Sequence, residues 1–396
     1  CRSCGNVHLE RCVSLAPQPL ANNLVDSVDA NAVTYPLEMN YCPQCHNCQL
    51  SVVVPPEDMF DNYLYVSSTS SKFVKHFEEA AEKYIEEFDL NEDSFVIDIG
   101  SNDGVALKPL REKGIKILGI DPAKNIAAMA NENGIPTYNG YFDDYVAGDS
   151  ESPDLITASN VFAHSDKLYE MATNSFDILK EDGVFIVEVQ YLLSTLQDLT
   201  FDNIYHEHTN YWSVTSINNF FNMMGLCVYK VEYVETHGGS IRVYVRRHNE
   251  LPVDPSVEQF LSKENDHGIT KLSTYKDFAE EVHRMKMNMR KNIDKLKEQY
   301  GRIAGYAAPA KATTALNFFG IDNNDIEYVI EDNSMKHDKF IPCVNIPIKD
   351  KDYCMENLPD VVIVLAWNFF DYIKEQNQDL IDAGCTFINM NDLMER

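Results

Sequence analysis

Positive charge is scarce in this chain. Its 396 residues hold 33 Lys and Arg against 62 Asp and Glu, a formal net charge of −29. So acidic a chain lacks the basic face that a polyphosphate backbone requires, which excludes a nucleic-acid polymer as the main partner. The same balance argues against docking on anionic lipid. It leaves room for a small anionic ligand held by backbone amides and a few local cations. Long apolar runs are also missing. No stretch approaches the roughly 18 apolar residues of a membrane span. No basic segment followed by an apolar one opens the chain, which predicts no secretory export and a cytoplasmic location. Cysteine thins out after residue 48. Six of the ten (Cys1, Cys4, Cys12, Cys42, Cys45, Cys48) fall before residue 49, and Cys227, Cys343, Cys354 and Cys385 are scattered. A secreted disulfide scaffold would be short and evenly stapled. Core-forming residues are plentiful, with 44% hydrophobic residues, 21 Tyr and 20 Phe, so extensive disorder is excluded. The length predicts roughly two or three domains.

The cysteine-dense end holds two C-x2-C pairs, Cys1-Cys4 and Cys42-Cys45. The spacing lets one turn present both sulfurs to one ion, and two pairs supply the four thiolates of a closed structural zinc site. Cys48 and His46 are further possible donors. Four thiolates leave no open position for catalysis, so the metal serves to replace a core too small to build. The alternative is a set of free buried cysteines.

A nucleotide-type turn follows. Phe95-Val96-Ile97-Asp98-Ile99 reads as a buried strand, and Gly100-Ser101-Asn102-Asp103-Gly104 as a tight turn before a helix. The next apolar strand, Ile117 to Ile120, ends at Asp121, where an acid typically binds a ribose diol. More strands read at Leu155–Ala158 and Val184–Val189. The turn lacks both G-x-G-x-x-G and a Gly-Lys-Ser/Thr sequence. An acidic loop with Asp98 and Asp103 suits a ligand without phosphates and with a positive centre. S-adenosylmethionine has that chemistry.

Tyr205-His206-Glu207-His208 places four proton-handling groups in a row. The bland alternative is a solvated turn, and zinc binding by His206 and His208 is another. Downstream, His237-Gly238-Gly239-Ser240 reads as a ligand loop or simply as a hairpin turn between Val228–Val234 and Ile241–Val245. Residues 275–300 carry an apolar helical stripe whose other face is basic, the mark of a solvated helix. Then Arg302 to Thr314 repeats the strand, small-residue turn and helix grammar. Lys311, Thr313 and Thr314 stand at that helix start as an anion site. Strands read again at 328–330, 361–365 and 386–388. The sequence therefore predicts an α/β protein with a small N-terminal zinc-binding domain (1–70), a Rossmann-like methyltransferase domain (71–245) and a second Rossmann-like domain (246–396).

The ordered motifs are together more specific than any one. They are the double knuckle with Cys45-His46-Asn47-Cys48-Gln49-Leu50, Tyr63-Leu64-Tyr65-Val66-Ser67-Ser68, the Gly100 turn and Ser159-Asn160-Val161-Phe162-Ala163-His164. They continue through Tyr205-His206-Glu207-His208, His237-Gly238-Gly239-Ser240-Ile241-Arg242, Lys311, Pro347-Ile348 and Leu365-Ala366-Trp367-Asn368. Nearly end to end, the chain resembles the S-adenosylmethionine-dependent sugar C-methyltransferases that act on nucleotide-linked keto-deoxysugars. The resemblance implies carbon methylation beside a ketone, with His208 as base and Tyr205 and Glu207 in the same site. Tyr63, Tyr65 and His164 match other active-site positions. Asp98, Gly100, Ser101, Asn102, Gly104, Asp121, Pro122 and Asn160 are implied for the cofactor. His237, Gly239, Ser240, Arg242, Lys311 and Lys336 are implied for the nucleotide-diphosphate sugar, with the two lysines on its diphosphate. The protein would be a monomer or small homo-oligomer. The sequence departs from the family at Ala307 and Pro309, where smaller or more flexible residues are usual, and at Cys343, where glycine is typical. Two other readings remain open from sequence: O- or N-methylation of another metabolite, and a non-catalytic zinc-knuckle binding protein.

Overall fold

The structure is a computed structural model that describes residues 1–28, 32–60, 66–145, 152–236, 238–247 and 251–394. The N-terminal segment contributes β1 (Glu10–Pro19), β2 (Thr34–Tyr41) and β3 (Cys48–Leu50). The middle contributes β4 (Phe95–Ile99), β5 (Lys116–Asp121), β6 (Thr137–Asn139), β7 (Leu155–Ser159), β8 (Val184–Gln190), β9 (Asn210–Tyr211), β10 (Leu226–Val234) and β11 (Ser240–Arg247). The last part contributes β12 (Ile303–Tyr306), β13 (Val329–Ile330), β14 (Phe340–Ile341), β15 (Ile346–Lys349), β16 (Val361–Val364) and β17 (Thr386–Asn389).

Among the described residues these strands form three sheets. The first has the order β1-β2-β3-β9. Its last strand comes from the middle of the chain, with Cys48 opposite Tyr211 and Gln49 opposite Asn210. The knuckle is thus stitched to the segment that follows Tyr205-His206-Glu207-His208.

The second sheet has the order β10-β11-β8-β7-β4-β5-β6. Strands β6, β5, β4, β7 and β8 run parallel, and β11 and β10 close the edge antiparallel. The central strands are continuous apolar runs because helices cover both faces, so no solvated side exists to favour alternation. β8 is buried at every residue. The third sheet, β14-β15-β13-β12-β16-β17, is parallel except for its edge strand β14. This is the doubly wound α/β architecture that the alternating pattern predicts. Strand order reverses beside β4 in one sheet and beside β12 in the other. A crevice opens at the carboxyl ends of the strands at each such reversal.

Two local features bear on the sites. The helix Leu272–Gln299 buries Tyr275, Phe278, Val282, Met285, Met289 and Ile293. On its basic face, Arg290 and Lys297 are spent on Asp325, at 2.5 and 2.8 Å. Ala307 and Cys343, the departures noted above, both hold left-handed backbones at φ 69° and 65°. These are conformations that glycine would adopt without steric cost. No helix among the described residues is long and apolar enough to cross a membrane.

Candidate active site and metal centre

The thiolates of Cys1, Cys4, Cys42 and Cys45 lie within 4.8 Å of one another. The Cys1–Cys45 and Cys4–Cys42 sulfur pairs are each 3.6 Å apart. A tetrahedron with metal–sulfur bonds of about 2.3 Å has an edge of about 3.8 Å, so the donor set fits one zinc ion with every position filled. Asn6 Nδ2 donates toward Cys42 Sγ at 3.7 Å, a second layer of support. Neither extra candidate joins in. Cys48 is fully buried in the hydrophobic core, and His46 Nδ1 meets the Tyr41 hydroxyl at 2.6 Å.

At the second sheet, β4 delivers Asp98 and the glycine turn, and β5 delivers Asp121. Gly100 has φ +64°, and a Cβ there would sit 2.2 Å from Val161 Cγ2. The glycine is required by packing as much as by the turn. Asp121 accepts from the backbone amides of Asn102 and Ala123, each at 2.9 Å. Those bonds hold its carboxylate at the rim of the turn. Burial raises its pKa while the two amides pull the other way. Asp98 accepts from Thr157 Oγ1 at 2.6 Å, and burial pushes its carboxyl up to about 7. A buried acid of this kind favours a cationic partner, because the partner repays its lost hydration. Ser101 Oγ and Asn160 Oδ1, both in the cavity wall, have no hydrogen-bond partner among the described residues. Two acids and two such polar atoms suit a ligand with a ribose, an amine and a sulfonium.

The carboxyl ends of both parallel sheets face one cavity of about 850 Å³. From the second sheet come Asp98, Gly100, Ser101, Asn102, Asp121, Pro122, Asn160 and His164. Opposite, the third sheet supplies Ala308 to Lys311, Glu331, Lys336 and Trp367 to Phe369. Tyr205 and His208 lie in the wall between them. The His208 ring packs against Tyr205 at 4.1 Å and His164 at 5.0 Å between centroids. His208 Nδ1 lies 2.8 Å from the Asn203 carbonyl oxygen. A carbonyl can only accept, so Nδ1 carries the hydrogen and Nε2 holds the lone pair in the neutral ring. Desolvation lowers the pKa of His164 to about 4, which keeps that ring neutral.

Lys311 opens the helix Ala310–Phe319. Desolvation lowers its pKa, opposed by the charge of Asp202. Lys336 Nζ donates to the Ala308 carbonyl at 2.9 Å and lies 3.8 Å from Glu331. Glu331 accepts from the amides of Ala308 (2.7 Å) and Asn333 (3.0 Å). This repeats, in the third sheet, what Asp121 does in the second: an acid after a strand holds the neighbouring turn and its own following residue.

Other candidates lie elsewhere. Gly104 is outside the cavity wall and packs on Ile135. Gly239 packs against Ser194 and Tyr233, and the Ser240 hydroxyl donates to the Thr236 carbonyl. Arg242 is buried on β11 in an ion pair with Glu188 at 2.8 Å, with His76 against the same acid. Glu207 is buried just behind the wall, bonded to Asn22. His206 turns away toward Tyr35 and Pro36 rather than toward His208. Tyr63, Tyr65 and His237 lie outside the described residues. Sequence reading missed Asn22, Asp202 and Glu331, and named Val66 to Ser68, which lie over the turn, only as part of a motif. Ser67 N and Ser68 N donate to Asn102 Oδ1 and Asp103 Oδ2. Trp367 was visible only as part of a motif without a role.

Comparison with known proteins matches nearly the whole chain. A zinc binding domain family covers residues 1–60, a methyltransferase domain family 73–231 and a C-methyltransferase C-terminal domain family 235–390. The C-methyltransferase NovU of Streptomyces niveus is 31% identical over 395 residues, 98% of this chain and 94% of that one. Among solved structures, magnesium protoporphyrin IX methyltransferase from Synechocystis PCC 6803 with bound SAH is 12% identical. It covers 44% of this chain and 83% of its own, with a TM-score of 0.36. An S-adenosylmethionine-dependent methyltransferase from Clostridium acetobutylicum ATCC 824 is 14% identical. It covers 44% and 92%, with a TM-score of 0.37.

Proposed function

This chain belongs to the C-methyltransferase family that joins a zinc-binding, a methyltransferase and a C-methyltransferase C-terminal domain, and from that premise we propose that it methylates a nucleotide-linked 4-keto-deoxysugar at the carbon beside the ketone. It is a methyltransferase whose cofactors are S-adenosylmethionine and a structural zinc. The observation that carries the finer reading is the shared cavity. Two sheets offer their ligand-binding ends to one space, one end acidic and the other bearing Lys311 and Lys336.

S-adenosylmethionine supplies the methyl group as an electrophile on sulfur. Asp121 is placed to hold its ribose, and Asp98 to favour its positive end. His208 Nε2 takes the proton from the carbon beside the ketone, since Nδ1 is committed to the Asn203 carbonyl. The electron pair left on that carbon would form the new carbon–carbon bond to the methyl group as the methyl–sulfur bond breaks, its electron pair staying on sulfur in the departing neutral thioether, S-adenosylhomocysteine. The Tyr205 hydroxyl, on the ring packed against His208 in the cavity wall, is our candidate donor to the enolate oxygen. Glu207 stands behind this site in an orienting or substrate-binding role, exerted through Asn22, which lines the cavity. Lys311, Lys336 and the amides at the start of helix Ala310–Phe319 hold the diphosphate. We assign residues 1–70 to the cap, 71–245 to the cofactor and 246–396 to the nucleotide-sugar, in a cytoplasmic monomer or small homo-oligomer.

Incubation with labelled S-adenosylmethionine and a 4-keto-6-deoxy nucleotide-sugar in deuterated water tests the reading. The expected product carries the methyl on carbon, and methyl found on oxygen overturns it. Without cofactor, the acceptor should exchange its α-proton for deuterium. His208→Asn should abolish that exchange, and exchange at the normal rate would remove His208 as base.

A further inference from the structure

One short 3-10 turn, Phe201–Asn203, joins the two halves of the cavity, and each of its residues is held differently. The Phe201 ring packs on Phe318 and Phe319 at 5.2 and 5.3 Å, both on the helix that Lys311 opens. Asp202 Oδ2 accepts from the indole Nε1 of Trp367 at 2.9 Å, from the loop after β16. The Asn203 carbonyl accepts from His208 Nδ1 at 2.8 Å. Two residues of the turn are therefore anchored to the C-terminal half, and the third fixes the base.

Asp202 is only 2% exposed, and its Oδ1 is buried without a hydrogen-bond partner among the described residues. A buried carboxylate is costly unless paired, so its indole donor and the nearby Lys311 ammonium matter to its position. The turn moves as one unit, because the Asn203 amide donates to the Thr200 carbonyl at 3.0 Å and the Ile204 amide, in the same peptide plane as the Asn203 carbonyl, donates to the Phe201 carbonyl at 2.9 Å.

We infer that Asp202 is a positioning residue through which the C-terminal half sets the orientation and tautomer of His208. An acceptor that orders the Trp367 loop also orders Asp202 and, with it, the carbonyl that holds Nδ1–H. Nε2 is then aimed into the cavity only when the acceptor's side is assembled. This inference rests on the reading of His208 as base.

Trp367→Phe keeps a ring and removes the donor. In the full chain, α-proton exchange of a 4-keto-6-deoxy nucleotide-sugar should fall roughly tenfold or more in kcat, with acceptor KM changed less than about threefold. Asp202→Ala should do the same, and the double variant should be no worse than Asp202→Ala alone, because one bond is removed twice. Asp202→Asn retains an acceptor for the indole and should restore most of the rate. Nitrogen-15 histidine spectra supply a readout that needs no acceptor. The Nδ1–H signature of His208, identified by its loss in His208→Asn, should shift or broaden in Trp367→Phe and stay put in Asp202→Asn. An unchanged His208 signature in Trp367→Phe overturns the inference, as does an unchanged kcat. If the unsubstituted protein exchanges no α-proton, the functional reading fails, and the spectra still decide the positioning. If Asp202→Ala does not fold, Trp367→Phe decides alone.

Discussion

Asn22 Nδ2 donates a 2.6 Å hydrogen bond to Glu207 Oε1. A residue just past β1 therefore orients an acid that lies 185 positions away, between Tyr205 and His208. Asn22 itself lines the cavity. Asn22→Ala leaves Glu207 with one donor fewer, so kcat of methyl transfer should fall by roughly an order of magnitude, with a small change in thermal stability. Asn22→Asp sets a second acid against the first and should cost more. Steady-state rates beside melting curves check both, and rates at the unsubstituted level would show that the bond does not matter to turnover.

Removing one thiolate should empty the metal centre. Cys42→Ser should lose about one zinc per chain by elemental analysis. The N-terminal sheet includes β9, so the loss should also lower the melting temperature and blunt catalysis. Retention of one zinc would place the ion elsewhere.

Asp121 is held by two backbone amides at the rim of the glycine turn. Asp121→Ala should weaken S-adenosylmethionine binding by roughly 10- to 100-fold, the cost of about 1.5–3 kcal/mol for hydrogen bonds to a charged group. Calorimetric titration measures it, with circular dichroism to confirm the fold.

Backbone strain gives two opposite results. Gly100→Ala meets Val161 at 2.2 Å with φ +64°, and should cost about 2 kcal/mol or more. Adding Val161→Ala should recover part of that cost and leave the part due to φ. Cys343→Gly removes a side chain from φ 65° on an exposed turn and should gain about 1 kcal/mol or less. Denaturant unfolding of the variants checks the signs.

His164 has its pKa lowered to about 4 by desolvation, against 6.5 for an ordinary histidine. The unfolded chain thus binds the extra proton first. Stability from the neutral ring is present above about 6.5 and is lost as pH falls toward about 4. His164→Asn should show a shallower loss of stability across that window. An unchanged slope in acid unfolding would show that other groups set it.

Much of the architecture was legible in the sequence because its signals are local. Apolar runs ending in glycine turns mark the parallel strands. C-x2-C spacing brings two sulfurs to one side of a turn whatever surrounds it. Asp121 follows from its place at the end of the second strand of the doubly wound sheet. The helical stripe from Tyr275 was visible for the same reason.

Tertiary structure alone decided what stands across the cavity from what. Nothing in the local sequence ties Asn22 to Glu207, Trp367 to Asp202 or Glu188 to Arg242: the first two pairs join loops brought together by tertiary packing, and the third is made by the pairing of β8 with β11 in one sheet. Arg242 shows the difference: its motif suggested a ligand, and its position on β11 gives it a buried acid instead. Composition and motif spacing specified two nucleotide-type sheets and a metal knuckle. Only the docking of those sheets, carboxyl ends facing, put His208 and Lys311 in the wall of one cavity. The reason is physical: a turn's chemistry depends on its neighbours in sequence, whereas a site's chemistry depends on which surfaces exclude water together.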